Sequence, residues 1–316
     1  MAESFPVADL EAALAPHLGE AELQFRAIPT GKFNTSYFVS GAPGEFVLRV
    51  APADDAGFVF YERRMMAQEP QIHQLLLEET SVPVAEVLAY DTSRRALDRD
   101  FILMRRLPGE ALSAAAVSAG SLGDIYRQVG RMLAGVHGIR RERYGYLGAH
   151  KPMEAQATWR QAFEVMWNSL ADDIVRCGGY TREEARLVRL SLFNNLDLFD
   201  YSEPARLLHM DIWAQNILVD GGGRVTGLVD FDRACWGDPE IEFAVLDYCG
   251  VSVPEFWEGY GRQRATGARA AARQLFYYIY EVQKYIVIER ERRNNPDRAD
   301  SYKRQAFTLL SRALRG

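Results

Sequence analysis

The chain has 316 residues, 48% hydrophobic, 25% charged and 11% aromatic, the composition of a globular protein able to bury its own core. Its formal net charge of −6 argues against nucleic acid, which wants a basic face, and its three cysteines show no CxxC or Cys/His ligand spacing. No run approaches the roughly 18 apolar residues of a membrane span, and the opening MAESFPVADLEAALAPHL lacks the basic and apolar regions of a signal peptide. A cytoplasmic protein without nucleic-acid or membrane partners is expected, as a monomer or homodimer.

Apolar residues at Phe5, Val7, Leu10, Leu14 and Leu18 predict a short amphipathic helix over 5–18. Strand-like runs follow at 22–28, 34–39 and 45–50, the last two reading as an antiparallel hairpin around Gly41-Ala-Pro-Gly44. A helical segment over 60–78 and two further strands at 86–90 and 100–105 complete a β-rich region. At Leu107-Pro108-Gly109 the character changes, and the Pro–Gly pair reads as a linker. This divides the chain into lobes at 1–106 and 107–316, with a hinge about 103–110. Helices are then expected at 121–138, 154–176, 181–199, 239–248, 254–261, 267–293 and 300–314, with Thr181 and Glu184 as a capping box. They are interrupted by a hairpin, Ile217–Val219 and Val225–Val229, around Gly221-Gly222-Gly223.

The chemistry concentrates between His209 and Asp238. Phosphoryl transfer from ATP needs a carboxylate at the attacking hydroxyl, oxygen ligands for Mg²⁺ and a cation on the α/β-phosphates. In His209-Met210-Asp211-Ile212-Trp213-Ala214-Gln215-Asn216 the spacing H-x-D-x-x-x-x-N puts an aspartate at the hydroxyl and an asparagine near the metal. The hairpin returns Asp230 beside Asn216, where it can ligate the same metal. In the first lobe, Arg49 on the strand after the hairpin is the candidate phosphate clamp; Glu69 is its expected partner and Glu62 the rival. Asp232, two residues past Asp230, is expected on the opposite face of a continuing strand, as a hydrogen-bonding support. Asp238 is expected to cap the next helix, and His209 to hold the loop together rather than move a proton.

The segment HMDIWAQNILVDGGGRVTGLVDFDRACWGDPEIEFA resembles the catalytic segment of the aminoglycoside phosphotransferase and choline kinase superfamily. GKFNTSYFV with EFVLRV resembles the first-lobe pattern, FILMRRLPGEAL the hinge and VHGIRRERYGYLG a segment before the helices of the second lobe. The resemblance implies an α+β, two-lobed protein-kinase-like fold, with a β-rich first lobe bearing one long helix and a mainly helical second lobe. It implies Asp211 as the base-like residue and Asn216 and Asp230 as Mg²⁺ ligands. It places Gly31, Asn34, Thr35 and Ser36 over the phosphates of ATP, and Met104 in the nucleotide hinge. The chain departs from the pattern at Arg49, where protein kinases use Lys; at Met210, where the family commonly has Gly; and at Glu242, where relatives often carry Asp.

These readings converge on an ATP- and Mg-dependent O-phosphotransferase. An aminoglycoside or related antibiotic is the expected acceptor, with a sugar or amino alcohol as the alternative. Glu164, Asp172, Asp173, Asp197 and Asp200 are candidates for ammonium groups of a cationic substrate, or for a solvated helix face. The stripe Trp159, Phe163, Met166, Trp167, Leu170 and Ile174, with Phe276, Tyr277, Tyr280 and Tyr285, reads as core before it reads as a ligand cage. A catalytically inactive nucleotide-binding protein is the reading of another class, and the intact set of Asp211, Asn216 and Asp230 argues against it.

Overall fold

Alternation in the β-branched and aromatic runs builds the first region. In this computed structural model, which describes residues 4–29 and 33–314 and only the backbone at Ala119, helix α1 (Val7–Leu18) precedes strands β1 (Leu23–Ile28), β2 (Thr35–Gly41) and β3 (Gly44–Val50). A 3-10 turn at Met65–Gln68 leads into α2 (Glu69–Glu79), followed by β4 (Val87–Asp91) and β5 (Phe101–Arg105). The sheet order is β1-β2-β3-β5-β4, and every neighbouring pair is antiparallel.

Period-two patterning gives that sheet two apolar faces. Phe46, Leu48 and Val50 of β3 pack with Leu103 and with Leu10 and Leu14 of α1. The opposite face carries Ile102 and Met104 against Met66 and Ala85, and Arg49 lies on this side, paired in register with Ile102 and Ser36.

The rest is mainly helical. After β6 (Glu110–Ala111) come α3 (Ala119–Val136), β7 (Arg140–Arg141), α4 (Trp159–Arg176) and α5 (Arg182–Phe193), then β8 (Ala205–Leu208), β9 (Ile217–Val219), β10 (Val225–Leu228) and β11 (Cys235–Gly237). Helices α6 (Glu240–Cys249), α7 (Pro254–Tyr260), α8 (Ala268–Val287) and α9 (Pro296–Ala313) close the chain. Two three-stranded sheets, β10-β9-β6 and β11-β8-β7, hold the loop 209–216 between them.

The expected helices at 60–78, 154–176, 181–199 and 267–293 are each shorter, for local reasons. Residues 60–64 are turn, and α2 begins at Glu69 with Pro70 in its first turn. Helix α4 begins at Trp159 because the Thr158 side chain caps it, accepting from Gln161 N. The predicted box does start α5, with Thr181 and Glu184 bonding reciprocally, but the helix stops at Phe193 and resumes as a 3-10 turn at Leu196–Phe199. Helix α8 loosens into a π turn at Ile288–Arg292. The short strands β6, β7, β8 and β11 have no counterpart in the sequence reading. The stripe from Trp159 to Ile174 is fully buried against Phe276, Tyr277 and Tyr280, and is core.

Candidate active site

The loop between β8 and β9 places Asp211 and Asn216 together. Asn216 donates from Nδ2 to the Asp211 carbonyl at 2.9 Å and to its Oδ2 at 3.0 Å. His209 fastens both ends of this arrangement: Nδ1 accepts from Asp211 N at 3.2 Å, and Nε2 donates to Val229 O at 3.0 Å. Burial lowers the pKa of His209 and favours this neutral form. Burial would raise Asp211, but Arg233 outweighs it, with help from Lys284 and His209, and holds the carboxyl below its ordinary value.

Underneath, Glu242 of α6 anchors the first backbone amides of the loop. It accepts from His209 N at 3.0 Å and from Met210 N at 2.7 Å, while His137 Nε2 donates to it at 2.8 Å. Burial pushes Glu242 up, but His137, His209 and the Met210 amide outweigh it and leave it lowered. Met210 has φ 68°, a left-handed conformation in which glycine is unstrained, while its side chain is fully buried.

The hairpin β9–β10 returns the chain to Asn216, whose carbonyl accepts from Val229 N at 3.1 Å. Here the strand does not continue. Asp230 has φ 72° and starts a 3-10 turn over Phe231–Arg233, so Asp232 faces the same side as Asp230. This corrects the expectation that Asp232 points away. Gln68 at the start of α2 donates to the Asp232 carbonyl and fixes the turn.

Arg49 reaches this turn from β3. Its Nη1 donates to Glu69 Oε2 at 2.6 Å, and its Nη2 to Asp230 Oδ1 at 2.9 Å and Asp232 Oδ2 at 3.1 Å. Glu69 is thus its partner, while the rival Glu62 accepts from Val59 N and pairs with Arg292 at 3.3 Å. Carboxylate oxygens of Glu69, Asp230 and Asp232 lie within 4.8 Å of one another. Burial raises Glu69 to about 7, and burial with the Asp230 charge raises Asp232 well above the usual carboxylate range. Three carboxylates share a single guanidinium, so their full ionisation calls for a further cation, and all-oxygen donors suit Mg²⁺. The residues therefore fit a divalent cation.

Among the remaining expected nucleotide contacts, Ser36 and Met104 share the sheet face of Arg49. Asn34 lines a cavity of about 220 Å³ with Ala51, Met65 and Met66 beside it. Thr35 opens β2, and Gly31 lies outside the described residues. Asp238 bonds Glu240 N at 3.0 Å across the start of α6, but its second oxygen is used in the core, accepting from Tyr277 OH at 2.8 Å. Of the five acidic candidates for a cationic substrate, Asp172 pairs with Arg189, Asp173 with Arg63 and Arg176, Asp197 with Arg269 and Asp200 with Arg160.

The sequence reading missed Arg233, which donates from Nη1 to Asp211 Oδ1 at 2.6 Å, and it missed the clamp formed by Glu242 and His137. Their signals were faint: a charged residue directly after Asp230-Phe231-Asp232, and a histidine inside an apolar helix end.

An aspartate–asparagine loop beside a carboxylate-ringed arginine, between a five-stranded sheet and a helical region, defines a kinase-like phosphotransferase of small molecules. The chain belongs to the phosphotransferase enzyme family, whose profile matches residues 24–275, within the protein-kinase-like superfamily of small-molecule kinases. A homoserine kinase of Pseudomonas aeruginosa PAO1 is 27% identical over 253 residues, covering 76% of this chain and 69% of that protein. A probable ketoamine kinase of Escherichia coli K12 is 24% identical over 285 residues, covering 84% and 88%. Among solved structures, a fructosamine-3-kinase candidate of Haemophilus somnus 129PT has a TM-score of 0.73 at 16% identity, over 96% of each chain. A thermostable mutant of the aminoglycoside phosphotransferase APH(4)-Ia, in ternary complex with AMP-PNP and hygromycin B, has a TM-score of 0.67 at 19% identity, over 98% and 99%. At these identities the two structures establish the fold.

Proposed function

We propose that this phosphotransferase acts on a hydroxyl of a small metabolite, of the sugar or amino-alcohol kind, rather than on an aminoglycoside. The convergence of Glu69, Asp230 and Asp232 around Arg49, next to the paired Asp211 and Asn216, carries the kinase reading, since Arg49 and Asp230 are 181 residues apart in sequence. Two observations favour a metabolite. The relatives at 27% and 24% identity are named homoserine and ketoamine kinases. Four of the five acidic side chains considered for ammonium groups are already engaged by arginines, so they offer no open acidic wall.

In this reading Asp211 orients the acceptor hydroxyl and receives its proton as the oxygen–phosphorus bond forms. The bond from the γ-phosphorus to the bridging oxygen breaks, and ADP leaves. Asn216 holds the Asp211 carboxylate in place, and Arg49, oriented by Glu69, grips the phosphates. Asp230 and Asp232, with Asn216, would hold magnesium, whose charge offsets that of the β- and γ-phosphates. Catalysis is then mostly positioning and charge neutralisation.

The test is ADP release with Mg·ATP across ketoamines, hydroxy amino acids, sugars and aminoglycosides, for the wild type and Asp211→Ala. A metabolite is expected to stimulate release, and the variant to lose a factor of roughly 10²–10⁴ in turnover while still binding Mg·ATP. Preferential phosphorylation of an aminoglycoside would reject the metabolite reading. Unchanged turnover in the variant would reject the role given to Asp211.

A further inference from the structure

Glu62 does not pair with Arg49, yet it is a buried carboxylate with a cation of its own. Its Oε2 accepts from Val59 N at 3.0 Å, and its oxygens face Arg292 at 3.3 Å. Arg292 closes the π turn Ile288–Arg292, after which Arg293 N reaches back five residues to Ile288 O at 3.1 Å. Such a turn shifts side chains off the α-helical track, and turns of this kind gather at functional sites. Gly57 lies directly against it: its φ is 75°, and a Cβ there would sit 2.7 Å from the Glu291 Cβ. The turn and the segment before α2 are thus pressed together, and Glu62 aims the guanidinium between them.

That guanidinium lies over two rings. Its central carbon is 4.5 Å from the Phe33 centroid and 5.5 Å from that of Phe58, and the rings meet edge to face at 5.2 Å. Phe58 belongs to the segment fixed to the helical region, since its carbonyl accepts from Arg176 at 3.2 Å. Phe33 belongs to the sheet: with Asn34 it leads directly into β2. Ser36 of that strand is paired in register with Arg49, so the segment held through Phe33 stands beside the arginine proposed to grip phosphate. Ordering backbone as a ligand binds subtracts from affinity, and a contact that fixes it beforehand removes that cost. A guanidinium over an aromatic face supplies such a contact, strongest where water is excluded, and the Arg292 side chain is 16% exposed.

We propose that Arg292 is a positioning residue for the phosphoryl donor. Aimed by Glu62, it holds the Phe33 ring so that Asn34, Thr35 and Ser36 are ordered for the phosphates before the nucleotide arrives. The inference rests on the kinase reading above and adds a tie from the helical region to the phosphate-facing segment of the sheet.

The test is calorimetry on the full chain with magnesium and a non-hydrolysable ATP analogue, and with adenosine measured by competition against that analogue. Phe33→Leu keeps apolar bulk and loses the ring face, and Arg292→Met loses the cation. Each is expected to raise the Kd of the analogue about tenfold while leaving that of adenosine within about twofold. The double variant should be no weaker than either single, because both remove the same contact. Phe33→Tyr restores a ring face and should recover most of the affinity. Arg292→Met also leaves Glu62 buried without its cation, so thermal unfolding must show it folded; if it is not, the two Phe33 variants decide. Unchanged affinity in Phe33→Leu overturns the proposal, as does a hundredfold loss in the double variant, which marks two independent effects. Equal weakening of adenosine and analogue overturns it as well, since that marks general damage to the cleft. In each of these cases the wild type still binds the analogue and the kinase reading stands. If the wild type does not bind it, the kinase reading fails and this inference falls with it.

Discussion

Arg49 has two claims on it at once. It neutralises part of a buried carboxylate trio and, in the proposed function, it grips phosphate. Replacing it with glutamine removes charge-assisted bonds each worth about 1.5–3 kcal/mol, so kcat/KM for ATP should fall roughly 10- to 100-fold. The same change leaves Glu69, Asp230 and Asp232 without their guanidinium, so calorimetry should find Mg²⁺ alone bound more tightly than by the wild type. Weaker binding of both would deny the trio its part in holding metal. Met210 poses a different contest. Its left-handed φ of 68° costs about 1 kcal/mol that glycine would recover. Its fully buried side chain, however, is worth about 2–5 kcal/mol on truncation. Burial wins, so Met210→Gly is expected to destabilise by about 1–4 kcal/mol in urea unfolding. A stabilised variant would mean that backbone strain dominates there.

At the level of elements, local pattern carried far but not across the chain. The loop 209–216 and its hairpin were readable because Asp211, Asn216 and Asp230 sit within one short span whose turn is set by glycines. Arg49 with Glu69 was readable as strand and following helix, and the structure pairs them. The direction of Asp232 was not, because it depends on one positive φ at Asp230 that no alternation pattern encodes. Nor was the Glu242–His137 clamp, whose partners come from α6 and α3. The packing of α3 on α7 was equally hidden. A Cβ at Gly259 would lie 1.9 Å from the Arg127 carbonyl oxygen, and one at Gly130 would lie 2.2 Å from that of Phe256. Both obstacles are backbone, so no rotamer change relieves them. Gly259→Ala should cost about 3 kcal/mol, read from the denaturation midpoint, without altering which acceptors are used. A neutral substitution would mean that the two helices can separate freely.

Across the whole molecule, the β-rich and helical regions are tied together on either side of the site. Arg49 links β3 to Asp230 and Asp232, across 181 and 183 residues of sequence. The turn before α2 is pinned to the helical region as well: Arg63 pairs with Asp173 at 3.2 Å, Glu62 with Arg292 at 3.3 Å, and Tyr61 stacks on Tyr146 at 4.7 Å. A ligand held from both sides should therefore stabilise the chain as one cooperative unit rather than the sheet alone. At a concentration of 100 Kd, Mg·ATP adds about 2.7 kcal/mol, which for a chain of this size raises Tm by about 5 °C. Asp230→Ala should lose most of that rise, because it removes a carboxylate proposed to hold the metal. Asp211→Ala should keep it, because Asp211 is proposed to act at the hydroxyl and not at the nucleotide. The reverse pattern, with Asp211→Ala losing the shift and Asp230→Ala keeping it, would exchange the two roles. A rise confined to an early, partial transition would mean that the nucleotide engages the sheet without engaging the helical region.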